Sequence, residues 1–477
     1  MRLPILGNAL DIPPESQWLK FTEWARTYGP VFSLSVFGRS MLVVNSAHAI
    51  DELLERKSAL YADRPHITLA GEMVGFSSVL VLEHYGIRHR EGRKLILNTV
   101  NPHNQTDIHR IQRNKASLLL SRLISSPKDF RLHSRWFVAA IVFQITHGQQ
   151  IENFDHVFVK LAEQVNEVFS HAVRPGSFLV DTIPILQYLP SWIPGMGFKT
   201  LAKVYRERLL RLCHEPYAYV KEQVAKGIAS PSLAARLIEE NCNPTPEEEW
   251  FYKTVVMHIY GGTLFSTVSA LESFFLIMSL YPDIQKQAQD ELNRVIEPGR
   301  MPDFDDRANL PYLDAVLKEV YRWNPVLPLS IPHRVTQDDV YHGFHIPAGA
   351  TVIANTSAVL HDPSLYPDPF QVNPDRYLNQ GGGLNPGPRR FAFGYGRRVC
   401  PGKVLADNTI FMFVACALAT LNISKAVDSD GLPIEPYVQY TGGTISHPGP
   451  FQCTIKPRSA ESARLIQSAA MHVDHMD

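Results

Sequence analysis

Apolar and polar positions alternate at helical spacing over most of the chain. Ser16 to Tyr28 reads as a helix closed by Gly29, and Ser46 caps a second that runs to about Lys57. Between them, Val31 to Val36 and Met41 to Val44 flank Gly38-Arg39 and predict a β-hairpin. Helical periodicity returns over 105–170 and 199–227, and the longest continuous helix is expected from Glu247 to Leu280. Leu313 to Trp323 and Val404 to Leu421 read as two further helices. The pattern predicts a mainly α protein with small β-sheets.

No Ser/Gly-rich linker or run of charge divides the sequence, so residues 1–457 are read as one domain and 458–477 as a mobile tail. With 477 residues, 45% of them hydrophobic and 19% charged, the chain can bury a large core. A formal charge of −1 argues against a nucleic-acid partner, which would call for a basic surface. The five cysteines, Cys213, Cys242, Cys400, Cys416 and Cys453, are odd in number and unpaired in spacing, which excludes a disulfide scaffold and indicates a reducing compartment. No segment approaches the ~18 consecutive apolar residues of a membrane-spanning helix.

The chemistry concentrates in Phe393-Gly394-Tyr395-Gly396-Arg397-Arg398-Val399-Cys400-Pro401-Gly402. Gly394 and Gly396 permit a tight loop that aims amide groups at the sulfur, and the helix that follows puts Cys400 near a helix N-terminus. That setting is expected to lower the thiol pKa and present a thiolate to a metal. Arg398, two residues away, supplies a fixed charge suited to a carboxylate. A lone cysteine is ordinarily a small buried hydrophobe, and a Gly-rich run can belong to a nucleotide loop. Neither alternative accounts for the whole decapeptide.

Phe393, Gly396, Arg398, Cys400 and Gly402 match Phe-x-x-Gly-x-Arg-x-Cys-x-Gly, and this stretch resembles the haem-binding signature of the cytochrome P-450 superfamily. The resemblance covers nearly the whole chain and implies that fold, with haem b lying between the long central helix and the Cys-ligand loop and bound through the Cys400 thiolate. It also implies that Glu319, Arg322 and, in Pro374-Asp375-Arg376-Tyr377, Arg376 form an internal ionic cluster behind the haem. Taken without the resemblance, Glu319 and Arg322 are a pair three apart on one helix face, a spacing common on solvated surfaces.

On the long helix the family pattern (Ala/Gly)-Gly-x-(Asp/Glu)-Thr-Thr is met by Gly262-Thr263-Leu264-Phe265-Ser266-Thr267. The acid of the pattern is replaced by Phe265, which cannot relay a proton. Ser266 and Thr267 are the catalytic candidates implied, their hydroxyls facing the side where oxygen is handled; the other reading is that these small residues only allow close helix packing. In Tyr85 to Lys94, His89 stands where relatives have Trp, and Arg93 is retained. These two, with His333, are the further haem-binding candidates, against the alternatives of a solvated basic face and an exposed loop histidine.

The resemblance places substrate contacts in residues 65–84, 172–198, Val326 to Leu329 and Gly442 to Ile445, giving Gly262, Phe265, Val326, Leu329 and Thr444 as pocket candidates. This implies a lipophilic small molecule, O2 and electrons from an NADPH-cytochrome reductase docking near Arg389, Arg390 and Arg397. The apolar stretch Ile183 to Pro194 has two readings, a wall of the lipophilic pocket or, with Trp192 at the headgroup level, a peripheral contact with a membrane surface. Met1 to Asn8 is similar to the proline-rich hinge after the N-terminal anchor of eukaryotic members. That opening places the protein on the cytoplasmic face of the endoplasmic reticulum if an anchor precedes it, and in the cytoplasm otherwise.

Tyr366-Pro367-Asp368-Pro369 and His447-Pro448-Gly449-Pro450 further resemble fungal members of secondary metabolism, of the O-methylsterigmatocystin oxidoreductase type. The activity implied is monooxygenation. The missing acid leaves two alternatives open: an isomerase or dehydratase that needs no O2, and a degenerate haem or ligand carrier.

Overall fold

Helix caps and glycines set the framework in this computed structural model, which describes residues 6–100, 105–174, 176–378 and 385–474. Met1 to Ile5, most of the hinge-like opening, lie outside the described residues. Gln17–Tyr28 is the first helix, and Gly29 ends it at φ 96°. Strands β1 (Val31–Val36) and β2 (Arg39–Val44) follow as an antiparallel hairpin. Phe37 and Gly38 take φ 48° and 79° in its turn, the left-handed pair of a type I′ connection. Ser46 caps the next helix through Oγ, which accepts from the amide of Ala49. That helix, Ala47–Ile50, runs on as a π-helical turn, Asp51–Arg56.

Six short strands complete the larger sheet, form a hairpin, or pair near the C-terminus: β3 (His333–Arg334), β4 (Asp339–Tyr341), β5 (Phe344–Ile346), β6 (Thr351–Ala354), and β7 (Leu421–Lys425) with β8 (Cys453–Pro457). The four-stranded sheet has the order β1-β2-β6-β3, with β2 and β6 parallel. His333 is therefore not in a loop. It pairs with Val352 across β3 and β6, which fixes where its ring points.

The long central helix, Pro246–Leu280, starts at a capping box between Thr245 and Glu248 with Pro246 in its first turn. From Thr267 to Ser279 every residue is buried, the mark of a core helix. It and the ligand helix, Lys403–Thr420, are apolar and long enough to cross a membrane by composition, yet 83% and 72% of their apolar windows lie inside the protein. Around them the largest apolar cluster includes Phe137, Phe143, Phe274, Phe275, Phe411 and Phe413.

The expected mobile tail is corrected. Ala460–Asp474 is a helix that packs on the helix Gln105–Ser125. Ile466, Ala470 and Val473 bury one stripe at spacings of four and three, and that apolar stripe is what docks it.

Candidate active site

The ligand loop is shaped by two glycines in left-handed conformations, Gly394 at φ 77° and Gly396 at φ 53°. The amide of Cys400 donates to the carbonyl of Phe393 at 2.8 Å, closing the loop beneath the sulfur. Gly396 does not face the cavity. A Cβ there would lie 2.2 Å from the carbonyl oxygen of Leu54, so this glycine lets the loop seat against the π-helical turn. The Gly396 amide also donates to Glu55 Oε1 at 3.0 Å.

Cys400 is exposed to an internal cavity of about 260 Å³, and among the described residues it is the only cysteine lining it. Burial raises the thiol pKa, and the Gly402 amide with the charges of Arg93 and Lys403 offsets only part of that. The expected lowering is thus overturned for the free thiol, because desolvation outweighs the helix terminus. A bound metal would deprotonate the thiol directly.

Cationic and imidazole side chains converge on this cavity: Arg64, His89, Arg93, His333 and Arg398 line it, and no described lining residue is a carboxylate. Arg398 is held by the carbonyls of Ala62 and Glu83 at 2.5 and 2.7 Å, and burial pulls its pKa down to about 10. Arg64 donates to the carbonyls of Val81, Ile331 and Pro332 at 2.7 to 3.0 Å. Arg93 donates to the carbonyl of Val399 at 2.6 Å. The Nδ1–H of His333 donates to the carbonyl of Tyr61 at 2.7 Å, which leaves Nε2 for the cavity. His89 is buried, and its Nδ1 has no hydrogen-bond partner among the described residues. Burial lowers the pKa of His89 and of His333 to about 3.

Buried guanidinium groups crowded without a facing anion are costly. Arg64 shows the strain: burial and the nearby charge of Arg398 push its pKa well down, and the Asp63 carboxylate offsets only part of that. A ligand carrying carboxylates would relieve this, and a thiolate donor at the cavity floor suits iron. The residues fit a haem: Cys400 would hold its iron through the thiolate, and Arg64, His89, Arg93, His333 and Arg398 would be available to its propionates.

On the other side stands the central helix. Gly261, Gly262, Thr263, Ser266, Thr267 and Ala270 line the cavity. Ser266 is back-bonded, its Oγ donating to the carbonyl of Gly262 at 2.9 Å, and the oxygen keeps a lone pair toward the cavity. Thr267 differs from expectation: its Oγ1 is covered and has no hydrogen-bond partner among the described residues.

Phe265 is absent from the lining and packs edge-on against His447, ring centroids 6.3 Å apart. Of the other pocket candidates, Gly262 and Val326 line the cavity, together with Phe393, while Leu329 and Thr444 do not. Leu329 instead packs on the small cluster around Phe21 and Val43.

Arg64, His258 and Asn166 are polar lining residues that no sequence motif marks. His258 precedes Gly262 by one helical turn, and burial with the charge of Arg93 takes its pKa to about 4. Asn166 is buried on the helix Val157–Ala172 and also lines the cavity. The i, i+4, i+8 series 258, 262 and 266 is the signal that would have found His258.

Behind the loop, Glu319, Arg322 and Arg376 come together. Arg322 Nε and Nη2 donate to the two oxygens of Glu319 at 2.7 and 2.8 Å. Arg376 Nε lies 3.3 Å from Glu319 Oε1, and Tyr377 donates to the same oxygen at 2.9 Å. The cluster is sealed from solvent. Arg389, by contrast, is not free for a docking partner, since it pairs with Asp314 and Asp407 at 2.8 and 2.7 Å.

A sequence model of the cytochrome P-450 family matches residues 1–454. Cytochrome P-450 monooxygenase 208 of Postia placenta is 40% identical over 98% of this chain and 91% of its own length. Cytochrome P-450 monooxygenase claR of Ampulloclitocybe clavipes is 40% identical over 100% of this chain and 88% of its own. Tryptamine 4-monooxygenase of Psilocybe cyanescens is 38% identical over 97% and 93%. A thiol loop facing a cation-ringed cavity, on a chain matched from end to end, thus belongs to the cytochrome P-450 family, the haem-thiolate monooxygenases that act on a substrate with O2 and a redox partner.

Proposed function

We propose that this chain oxygenates a neutral, lipophilic small molecule of fungal secondary metabolism, with electrons from an NADPH-cytochrome reductase. Haem b, when bound, supplies the activation of O2 and the oxidation of a C–H bond. The chain's own residues set what reaches it. Val79, Leu80, Val165, Phe169, Met257 and Ile445 give the cavity apolar walls that exclude water. Ser266 can hold a proton or a water at its oxygen, and Asn166 and His258 offer the neutral polar contacts that orient a substrate.

One observation carries the substrate class: among the described residues lining the cavity there is no Asp or Glu. A protonated amine buried there would have no partner, which distinguishes this cavity from what a cationic tryptamine side chain requires. The test is a titration of the haem-loaded protein with matched ligands, an indole and its aminoethyl derivative, followed by the haem absorption shift. The neutral ligand is expected to bind about tenfold more tightly or better. Equal or tighter binding of the amine overturns the assignment. Product formation with reductase and NADPH then tests the electron source.

We also propose that the protein touches a membrane surface peripherally, at the cytoplasmic face of the endoplasmic reticulum if an anchor precedes this chain and from the cytoplasm otherwise. Leu179, Ile185, Tyr188 and Trp192 are exposed on one connecting segment, Trp192 at 80%. Apolar and amphipathic side chains clustered in this way favour a headgroup interface. Vesicle sedimentation of wild type against Trp192→Ser with Ile185→Ser checks it, with less protein pelleting expected for the variant.

A further inference from the structure

Away from the haem cavity, three side chains meet at the turn of the β4–β5 hairpin. His48 and Glu52 stand four apart on the helix that begins at Ala47, so they share a face. His342 comes from the hairpin turn, where it takes φ 47° ahead of Gly343 at φ 82°. His48 Nε2 lies 3.6 Å from Glu52 Oε1, and His342 Nε2 lies 3.5 Å from Glu52 Oε2. One donor atom from each of the three falls within 4.8 Å of the others.

These separations are too long for N–H···O hydrogen bonds. Each imidazole faces a different oxygen of Glu52, at a separation near the roughly 3.3 Å between neighbouring donors on a metal with ~2.0–2.1 Å bonds, so the carboxylate would take the ion with both oxygens or turn one toward it. Glu52 has no lysine or arginine partner among the described residues, so its charge is left to the two imidazoles.

We propose that His48, Glu52 and His342 form a site for a divalent zinc ion, with water completing its coordination. Two imidazoles and one carboxylate on a tetrahedral frame suit zinc, and the open fourth position leaves the ion exposed. The site has a mechanical consequence. Glu52 lies on the same turn as Leu54 and Glu55, which hold Gly396 of the ligand loop, so a bound ion would staple the hairpin to the support of that loop.

The test is zinc titration, by calorimetry, of haem-loaded protein from which any affinity tag has been removed. One site is expected, weakened about tenfold or more in Glu52→Gln and in His342→Asn, with the haem spectrum unchanged by the ion. Asn tolerates the left-handed turn, so His342→Asn keeps the test alive if the other variant misfolds. Absence of zinc binding, unchanged affinity in the folded variants, or zinc-induced loss of the haem band would each overturn the proposal.

Discussion

Arg322 lays two guanidinium nitrogens on the two carboxylate oxygens of Glu319, at 2.7 and 2.8 Å, in a place no solvent reaches. Arg322 also donates to the carbonyls of Leu360, Pro369 and Gln371, and the amide of Asn373 donates to Glu319. The pair therefore ties the helix Pro311–Trp323 to the chain that leads toward the ligand loop. Glu319→Gln keeps the shape and removes the charge, leaving Arg322 and Arg376 buried and uncompensated. A loss of about 3–5 kcal/mol is expected, with reduced haem content on purification. Denaturant unfolding followed by the haem absorbance checks it.

Ser266 and Thr267 are adjacent in sequence but not in role. Ser266 keeps its oxygen at the cavity, while the hydroxyl of Thr267 is covered and has no partner among the described residues. Ser266→Ala is expected to lower product formation about 100-fold with little change in stability, as for a lost proton-holding group. Thr267→Val removes an unsatisfied buried hydroxyl and is expected to be neutral or slightly stabilising, with turnover retained. Product assays and thermal unfolding on both variants separate the two positions.

His147 lies in the core outside the cavity lining, and burial holds its pKa at about 3 against an ordinary 6.5. The unfolded chain binds the proton first, so this residue contributes nothing to the pH dependence above 6.5 and costs stability as pH falls from 6.5 toward 3. Its share of the slope is about 1.4 kcal/mol per pH unit. His147→Gln is expected to flatten the acid limb of stability by one proton. Denaturant midpoints measured across that interval give the slope directly.

What the sequence made legible follows the range of the interactions. Cys400, Arg398 and Gly396 sit within one decapeptide whose spacing encodes its own loop, and the Glu319 and Arg322 pairing follows from a helical step of three. Arg376 reaches Glu319 from a distant loop, which no local pattern encodes, and only the family resemblance placed it there. Arg64 lies next to Asp63 in a stretch without periodicity, and its burial against the carbonyls of Ile331 and Pro332 is purely tertiary. The motif position of Phe265 points to the pocket, yet its side chain lies about 100° around the helix from Ser266 and so meets His447 instead. The zigzag of Ile466, Ala470 and Val473 was readable as an amphipathic helix, but its place near the chain end led to the expectation of mobility.

Gly396 offers the sharpest check on how the ligand loop is held. Its φ of 53° is unfavourable for a residue with a side chain, and a Cβ would meet the Leu54 carbonyl at 2.2 Å and Ser58 Cβ at 2.7 Å. The first contact is backbone, so no rotamer change relieves it. Gly396→Ala must therefore push the loop off the π-helical turn, breaking the amide contact to Glu55 and moving Cys400 relative to the cations around the cavity. The left-handed strain alone costs roughly 1–2 kcal/mol, and the clash adds to it. The variant is expected to fold with little haem and to lack the long-wavelength carbon-monoxide band of a thiolate-bound haem. Gly394→Ala is a control for strain without backbone collision, since its nearest contact is 3.4 Å, and it is expected to retain more haem than Gly396→Ala. Equal haem content in the two variants would mean that conformation, not contact with Leu54, sets the loop.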